Sequence, residues 1–263
     1  MAQTRHSLTP DREPGPQRIA KVLARAGLCS RRDAERWIAE GRVAVDGTVL
    51  TSPAVTVTAA SDIRVDGAPL PAPDRPRLWR YHKPPGLVTT HRDEKGRRTV
   101  FDALPRELPR LISVGRLDLA SEGLLLLTND GALARRLELP ETGWLRRYKV
   151  RVHGTVAPER LAALAGGVTV DGVRYGPIRA AFERQQGSNA WLSLALREGK
   201  NREVRRVLDH LGLAVTRLIR LSYGPFQLGN LARGEIEEVP ARVVREQLGK
   251  AAPPPAPHAH RRR

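Results

Sequence analysis

Gly115-Arg116-Leu117-Asp118-Leu119-Ala120-Ser121-Glu122-Gly123-Leu124-Leu125-Leu126-Leu127-Thr128-Asn129-Asp130-Gly131 is the stretch on which the reading of this chain turns. Its four consecutive leucines, bracketed by glycines, read as a core strand. Asp118 sits between a basic residue and that run, on a bend feeding the strand. A carboxylate held this way is a candidate catalytic group. Aspartate is also common in turns, because its side chain bonds nearby backbone N–H groups. The segment alone leaves both readings open.

Composition narrows what such a carboxylate would act on. The chain has 263 residues, of which 40% are hydrophobic, and a formal net charge of +17. That length predicts one large domain plus a smaller one, with enough apolar residue for a real core. So large a basic excess points to a polyanionic partner, most simply nucleic acid. Cys29 is the only cysteine, which excludes an internal disulfide and a Cys-x-x-Cys metal site. The seven histidines are scattered without metal-ligand spacing, so no zinc or iron site is expected. There is no apolar leader-like segment and no membrane-length apolar run, which predicts a soluble, cytosolic protein.

The pattern predicts several segments. Residues 1–16 are polar, proline-containing and aperiodic, and residues 250–263 form an Ala/Pro-rich tail ending in arginines; both are expected to be disordered. Residues 17–65 read as a compact unit. Ile19, Val22, Leu23 and Ala26 share one helix face, and Gly27 can end that helix. Ser30 and Asp33 form a capping-box-like start for a second helix ending at Gly41. Val43 to Leu50 then make a hairpin around Asp46-Gly47. The prolines between 53 and 77 suggest a linker, placed at 66–77. The larger unit, 78–249, alternates strands with helices at about 131–138, 158–165, 201–211 and 240–248. The expected architecture is α+β: a helix–helix–hairpin unit, then a mainly antiparallel sheet with helices packed on it.

Three further segments carry chemistry. Tyr148 lies in Arg146-Arg147-Tyr148-Lys149-Val150, where an aromatic ring among cations suits base stacking, although a core tyrosine fits the local pattern equally well. Glu198-Gly199-Lys200-Asn201-Arg202-Glu203-Val204-Arg205-Arg206 opens a helix whose apolar face is Val204, Val207, Leu208 and Leu211. Arg205 falls at the edge of that face, where a half-buried cation usually needs a carboxylate, and a solvated arginine is the simpler alternative. His82-Lys83-Pro84-Pro85-Gly86 reads as a rigid turn between strands.

The first unit, with Leu28-Cys29-Ser30-Arg31-Arg32 and Gly41-Arg42-Val43-Ala44-Val45-Asp46-Gly47, resembles the S4 RNA-binding domain. From Arg18 to Gly224 the chain resembles a pseudouridine synthase of the RsuA/RluB branch, closest to the RluB type. The resemblance rests on the Lys83-Pro84-Pro85-Gly86 motif, the Gly115–Gly131 stretch, and Glu198 to Arg206 with Arg217-Leu218-Ile219-Arg220 and Tyr223-Gly224. It implies a pseudouridine synthase fold, with Asp118 as the essential aspartate. It also implies Tyr148 beside the target base, Arg205 as the cation paired with Asp118, and Arg116 in support. Expected RNA contacts are Arg18, Lys21, Arg25, Ser30, Arg31, Arg32 and Arg42 in the smaller unit, and Lys83 and Arg202 in the larger.

The implied reaction breaks the N1–C1′ bond of a uridine, turns the uracil and forms a C5–C1′ bond. Breaking that bond builds oxocarbenium-like charge on the ribose, which a nearby carboxylate stabilises. Whether Asp118 acts as nucleophile or as base at the sugar stays open. Neither metal nor organic cofactor is expected. The implied partner is ribosomal RNA, 23S rather than 16S, or a pre-ribosomal particle, met by a monomer. A non-catalytic S4-type assembly factor would explain the charge but not Asp118, Tyr148 and Arg205 together. An S4-containing methyltransferase would want a Gly-rich loop after a strand, which the chain lacks.

Overall fold

The computed structural model describes residues 15–250, so the expectations for 1–14 and 251–263 lie outside the described residues. The chain divides at Arg75–Pro76 into two compact units. The smaller holds β1 (Gln17–Arg18), α1 (Ile19–Arg25), α2 (Arg31–Ala39), β2 (Val43–Val45), β3 (Thr48–Val49), β4 (Thr56–Val57), β5 (Ile63–Val65) and β6 (Ala68–Pro69). Ser30 caps α2 in a full capping box: its Oγ accepts the Asp33 N–H at 3.0 Å, and Asp33 Oδ2 accepts the Ser30 N–H at 3.2 Å. Ile19, Leu23, Ala34, Ile38 and Val43 close the core. Asp46 and Gly47 both have positive φ, 50° and 81°, the pair of left-handed residues a tight primed hairpin turn requires.

The proline-rich stretch is not simply a linker. β5 pairs with β2 and β6 pairs with β5, giving the sheet order β3-β2-β5-β6. Pro69 is tolerated because it lies on the edge strand, where its missing N–H costs no ladder bond.

The larger unit runs β7 (Leu78–Lys83), β8 (Ile112–Val114), β9 (Ser121–Thr128), α3 (Gly131–Glu138), β10 (Arg146–His153), α4 (Pro158–Ala163), β11 (Val168–Val170) and β12 (Val173–Tyr175). It continues through β13 (Ile178–Gln186), β14 (Asn189–Leu196), α5 (Glu203–His210), β15 (Ala214–Tyr223), β16 (Phe226–Gln227), β17 (Ile236–Glu238) and α6 (Ala241–Lys250). One sheet has the order β13-β14-β10-β15-β9-β7-β17, with β8 on β9 and β16 on β15. Its pairs are antiparallel except β9 with β15, where Leu218, Ile219 and Arg220 run parallel to Ser121, Glu122 and Gly123. After the Lys83-Pro84-Pro85-Gly86 turn the chain forms only an isolated bridge between Val88 and Thr99. The peptide beyond Pro84-Pro85 turns to bond the Asp118 loop instead.

All eight residues of β9 are buried. Leu125 and Leu127 join Trp79, Tyr81, Leu111 and Leu117 on one face. Leu124 and Leu126 join residues of α3 and α6 on the other. Burial on both faces explains why this strand reads as an unbroken apolar run rather than an alternation.

Candidate active site

Asp118 lies in the turn that leads into β9. Its own carbonyl accepts the Ser121 N–H at 3.0 Å. The neighbouring carbonyls are held from separate segments. Thr89 Oγ1 donates to Leu117 O at 2.8 Å, and the Gly86 N–H donates to Leu119 O at 2.8 Å. Arg205 Nη2 donates to Ala120 O at 3.1 Å. Lys83 Nζ donates to Ser121 O at 2.9 Å, to Pro84 O at 3.0 Å and to Leu119 O at 3.5 Å. A loop whose carbonyls are all engaged has little freedom, so the carboxylate it carries is preorganised.

Lys83 is therefore not an RNA contact. It is fully buried, and its ammonium is spent on the carbonyls around Asp118. Burial lowers it from the ordinary 10.5 to about 8, while the nearby Asp118 and Glu122 oppose that shift. The signal was present in the strand period: Trp79, Tyr81 and Lys83 fall on one phase of β7, and that phase is the buried one.

Two guanidinium groups face the carboxylate. Arg202 Nη1 lies 3.8 Å and Arg205 Nε 4.0 Å from Asp118 Oδ2. These are charge contacts, too long for hydrogen bonds, so the carboxylate keeps its lone pairs for a substrate. Arg205 is fixed by its other nitrogens, Nη1 donating to Val215 O and Nη2 to Ala120 O, both at 3.1 Å. Burial, then neighbouring Arg202, pushes the Arg205 guanidinium below its ordinary range, and Asp118 opposes them. Arg202 adopts a left-handed backbone, φ 52°, at the start of α5. A non-glycine residue in that conformation is stored strain of the kind found at functional sites.

These groups line a cavity of about 290 Å³ with Arg116, Tyr148 and Arg220. That volume is at the lower end for small-molecule pockets. Arg116 is exposed on its lining. Tyr148 is 8% exposed and belongs to the core cluster that also holds Val150 and Leu194. The ring is thus a core residue that also lines the cavity. The sequence reading missed several lining groups. Arg220 is buried, with Nε donating to Leu124 O at 2.7 Å. Arg146 Nη2 donates to Tyr223 Oη at 3.0 Å. Glu203 is buried with one oxygen accepting the Lys200 N–H at 2.9 Å, and burial pushes its carboxyl up. Glu138 Oε1 accepts the Gly115 N–H at 2.6 Å. For Arg220 the available signal was its phase in β15, shared with buried Leu218.

Residues 77–210 match the family model of RNA pseudouridylate synthases, and residues 17–63 match the S4 domain. The chain belongs to the pseudouridine synthase family. It is 47% identical over 228 residues to an uncharacterized RNA pseudouridine synthase of Rickettsia felis, covering 87% of this chain and 99% of that one. It is 42% identical over 249 residues to ribosomal large subunit pseudouridine synthase B of Pseudomonas aeruginosa, covering 90% of this chain and 64% of that one. A crystal structure of a pseudouridylate synthase superposes with TM-score 0.61 at 27% identity, over 88% of this chain and 99% of that one.

The S4 unit of this synthase sorts the remaining expected contacts. Arg31 and Arg32 are exposed on the first turn of α2, and Arg18 and Arg25 are exposed around α1; Lys21 is half-buried. Two assignments change. The Ser30 hydroxyl is committed to capping α2, donating to Asp33 Oδ2 at 2.6 Å as well as accepting. Arg42 is held by Asp66, Nε to Oδ1 at 2.9 Å and Nη2 to Oδ2 at 2.6 Å, and lies over the Trp37 ring. A bidentate carboxylate occupies the donors that a phosphate would use. Among the described residues, no three His, Cys, Asp or Glu side chains are grouped to hold a metal ion, and no helix is long and apolar enough to cross a membrane.

Proposed function

We propose that this synthase isomerises a specific uridine of large-subunit ribosomal RNA, with Asp118 as the essential carboxylate. The observation that carries the reading is the Asp118 turn itself. Its flanking carbonyls are pinned, its carboxylate faces Arg202 and Arg205 at 3.8 Å and 4.0 Å, and it lines one cavity with Tyr148. The ribosomal large-subunit relative supports the choice of RNA, and a ribosomal substrate would be met in the cytosol.

In this reading the target uridine leaves its stack and enters the cavity, at a cost of about a few kcal/mol that phosphate contacts offset. Asp118 acts at the ribose as the N1–C1′ bond breaks, as nucleophile on the sugar or as base. Arg205 and Arg202 counter its charge without consuming its lone pairs. Tyr148 holds the released uracil against diffusion while it turns to present C5 to C1′. Arg116 supports the same cavity. Arg18, Lys21, Arg25, Arg31 and Arg32 supply phosphate affinity from the S4 unit.

The test is Asp118→Asn. Pseudouridine mapping of ribosomal RNA, from cells carrying either form, should show one large-subunit pseudouridine lost in the variant. RNA affinity of the purified variant should stay within about twofold of wild type, since the side chain is isosteric and the phosphate contacts lie elsewhere. Pseudouridine formation by Asp118→Asn at the wild-type rate would overturn the catalytic assignment. Loss of a small-subunit pseudouridine instead would overturn the choice of RNA.

A further inference from the structure

The large sheet has a second face that the cavity does not use. Along β10, Tyr148, Val150 and Val152 point into the core beneath α4 and α5. Arg147, Lys149 and Arg151 therefore point to the opposite side. Register places Arg151 opposite Trp191 of β14 and Arg217 of β15. It places both Arg147 and Arg179 of β13 opposite Ala195 of β14. Ring contacts fix the side independently: Lys149 Nζ and Arg217 Cζ lie 5.3 Å and 5.9 Å from the centroid of Trp191. Over β9 and β7 this same side is covered by α3 and α6. Over β10, β14 and β13 it carries neither of them, while α4 and α5 lie on the other side.

Little negative charge answers these cations. Glu183 approaches Lys149 at 3.4 Å. Glu122 is buried beneath Arg217 and Arg233. Among the described residues Arg147, Arg151 and Arg179 have no carboxylate partner. Like charges that face each other across paired strands, as Arg151 and Arg217 do, repel. A folded chain that keeps them without helix cover gains most when a polyanion lies across them.

We propose that this uncovered face of β10, β14 and β13 is a second RNA-binding surface. It takes the phosphate backbone of a segment remote from the target uridine. Arg147, Lys149 and Arg151 form a row with about 6.7 Å between alternate residues, and Arg179 lies two strands from Arg147, at about twice the 4.8 Å strand spacing. Such a surface engages phosphates, which position an RNA whatever its sequence. Trp191 is occupied by Lys149 and Arg217 rather than open to a base. Guanidinium forks suit phosphate and carboxylate alike, and the match to an RNA-modifying family and an RNA-binding S4 domain favours RNA over an acidic protein as the occupant. The inference rests on RNA being the substrate. Because the surface and the cavity lie on opposite sides of the sheet, a short stem–loop cannot reach both, whereas a long RNA can wrap around the edge.

The test compares wild type with the triple variant Arg147→Ala, Arg151→Ala, Arg179→Ala, each also in an Asp118→Asn background so that binding is read apart from turnover. The probes are a short stem–loop and a full-length large-subunit ribosomal RNA transcript, titrated from about 50 mM to about 200 mM salt. The triple variant should bind the long transcript about tenfold or more weaker, with a log–log salt slope shallower by about 2 to 3. Its affinity for the stem–loop and its thermal midpoint should be unchanged. Arg147→Lys, Arg151→Lys, Arg179→Lys should recover most of the long-RNA affinity. Wild-type affinity and slope on the long transcript would overturn the proposal, as would equal weakening on both probes. Normal binding of naked RNA with modification lost only on ribosomal particles would overturn it in favour of a protein partner.

Discussion

Lys83 has no access to water, and its three acceptors are all main-chain carbonyls beside Asp118. Burial depresses it from 10.5 to about 8, whereas the unfolded chain holds its proton up to the ordinary value. The folded form thus binds fewer protons between those values. Its favourable contribution is fully present above pH 10.5 and is lost as pH falls through about 8. Lys83→Met lacks this linkage. The stability difference between wild type and variant, read from urea melts, should therefore move in wild type's favour by about 3 kcal/mol across that window. A pH-independent difference would remove the buried ammonium from the account. Arg205 supports a different expectation. Its fork satisfies Val215 O and Ala120 O while Nε faces Asp118. Lysine keeps the charge and loses the fork, so Arg205→Lys should lower kcat by about 10² with KM nearly unchanged. Single-turnover rates on saturating RNA check it, and a rise in KM alone would place Arg205 in binding.

β9 and β15 meet closely. A Cβ at Gly123 would lie 2.4 Å from Arg220 O and 2.7 Å from Arg220 N, and the residue has φ +104°. Gly123→Ala must therefore push the one parallel pair of the sheet apart, close to both Asp118 and Arg220. A loss of about 2 to 4 kcal/mol is expected from strain together with lost ladder bonds, with activity falling as well. Thermal melts and turnover read both effects. In the S4 unit, Ser30→Ala removes the cap of α2 and should cost about 1 kcal/mol. That unit's melting transition should fall, while the turnover number on saturating RNA is unchanged. The elements themselves were partly legible. α3, α4, α5 and α6 appear within a few residues of where periodicity places them, because each buries a single face against the sheet. β5 and β6 were hidden, since a two- or three-residue strand beside prolines carries no period to read.

Across the molecule, a net charge of +17 predicts an RNA affinity that falls steeply with salt. Arg31→Ala with Arg32→Ala should raise KM several-fold at physiological salt and make the salt slope shallower by about 1 to 2, leaving kcat unchanged. Retained slope and KM would mean that α2 does not touch phosphate. Short-range features were readable from the chain alone: the leucine strand, the capping box, the Asp46-Gly47 turn, the basic balance and the candidate Asp118. Each depends on neighbours within a turn or a strand, or on composition. What folding decided is where distant residues arrive. Arg205 meets Asp118 because β15 runs parallel to β9 and α5 packs beside them. Lys83 changes from an apparent phosphate contact to a buried clamp because the strand period carries it inward under the same loop. The uncovered cationic face exists only because β10, β14 and β13 align their alternate residues. A residue's charge is written in the sequence, but whether that charge meets water, a carboxylate or three carbonyls is set by which strands lie side by side.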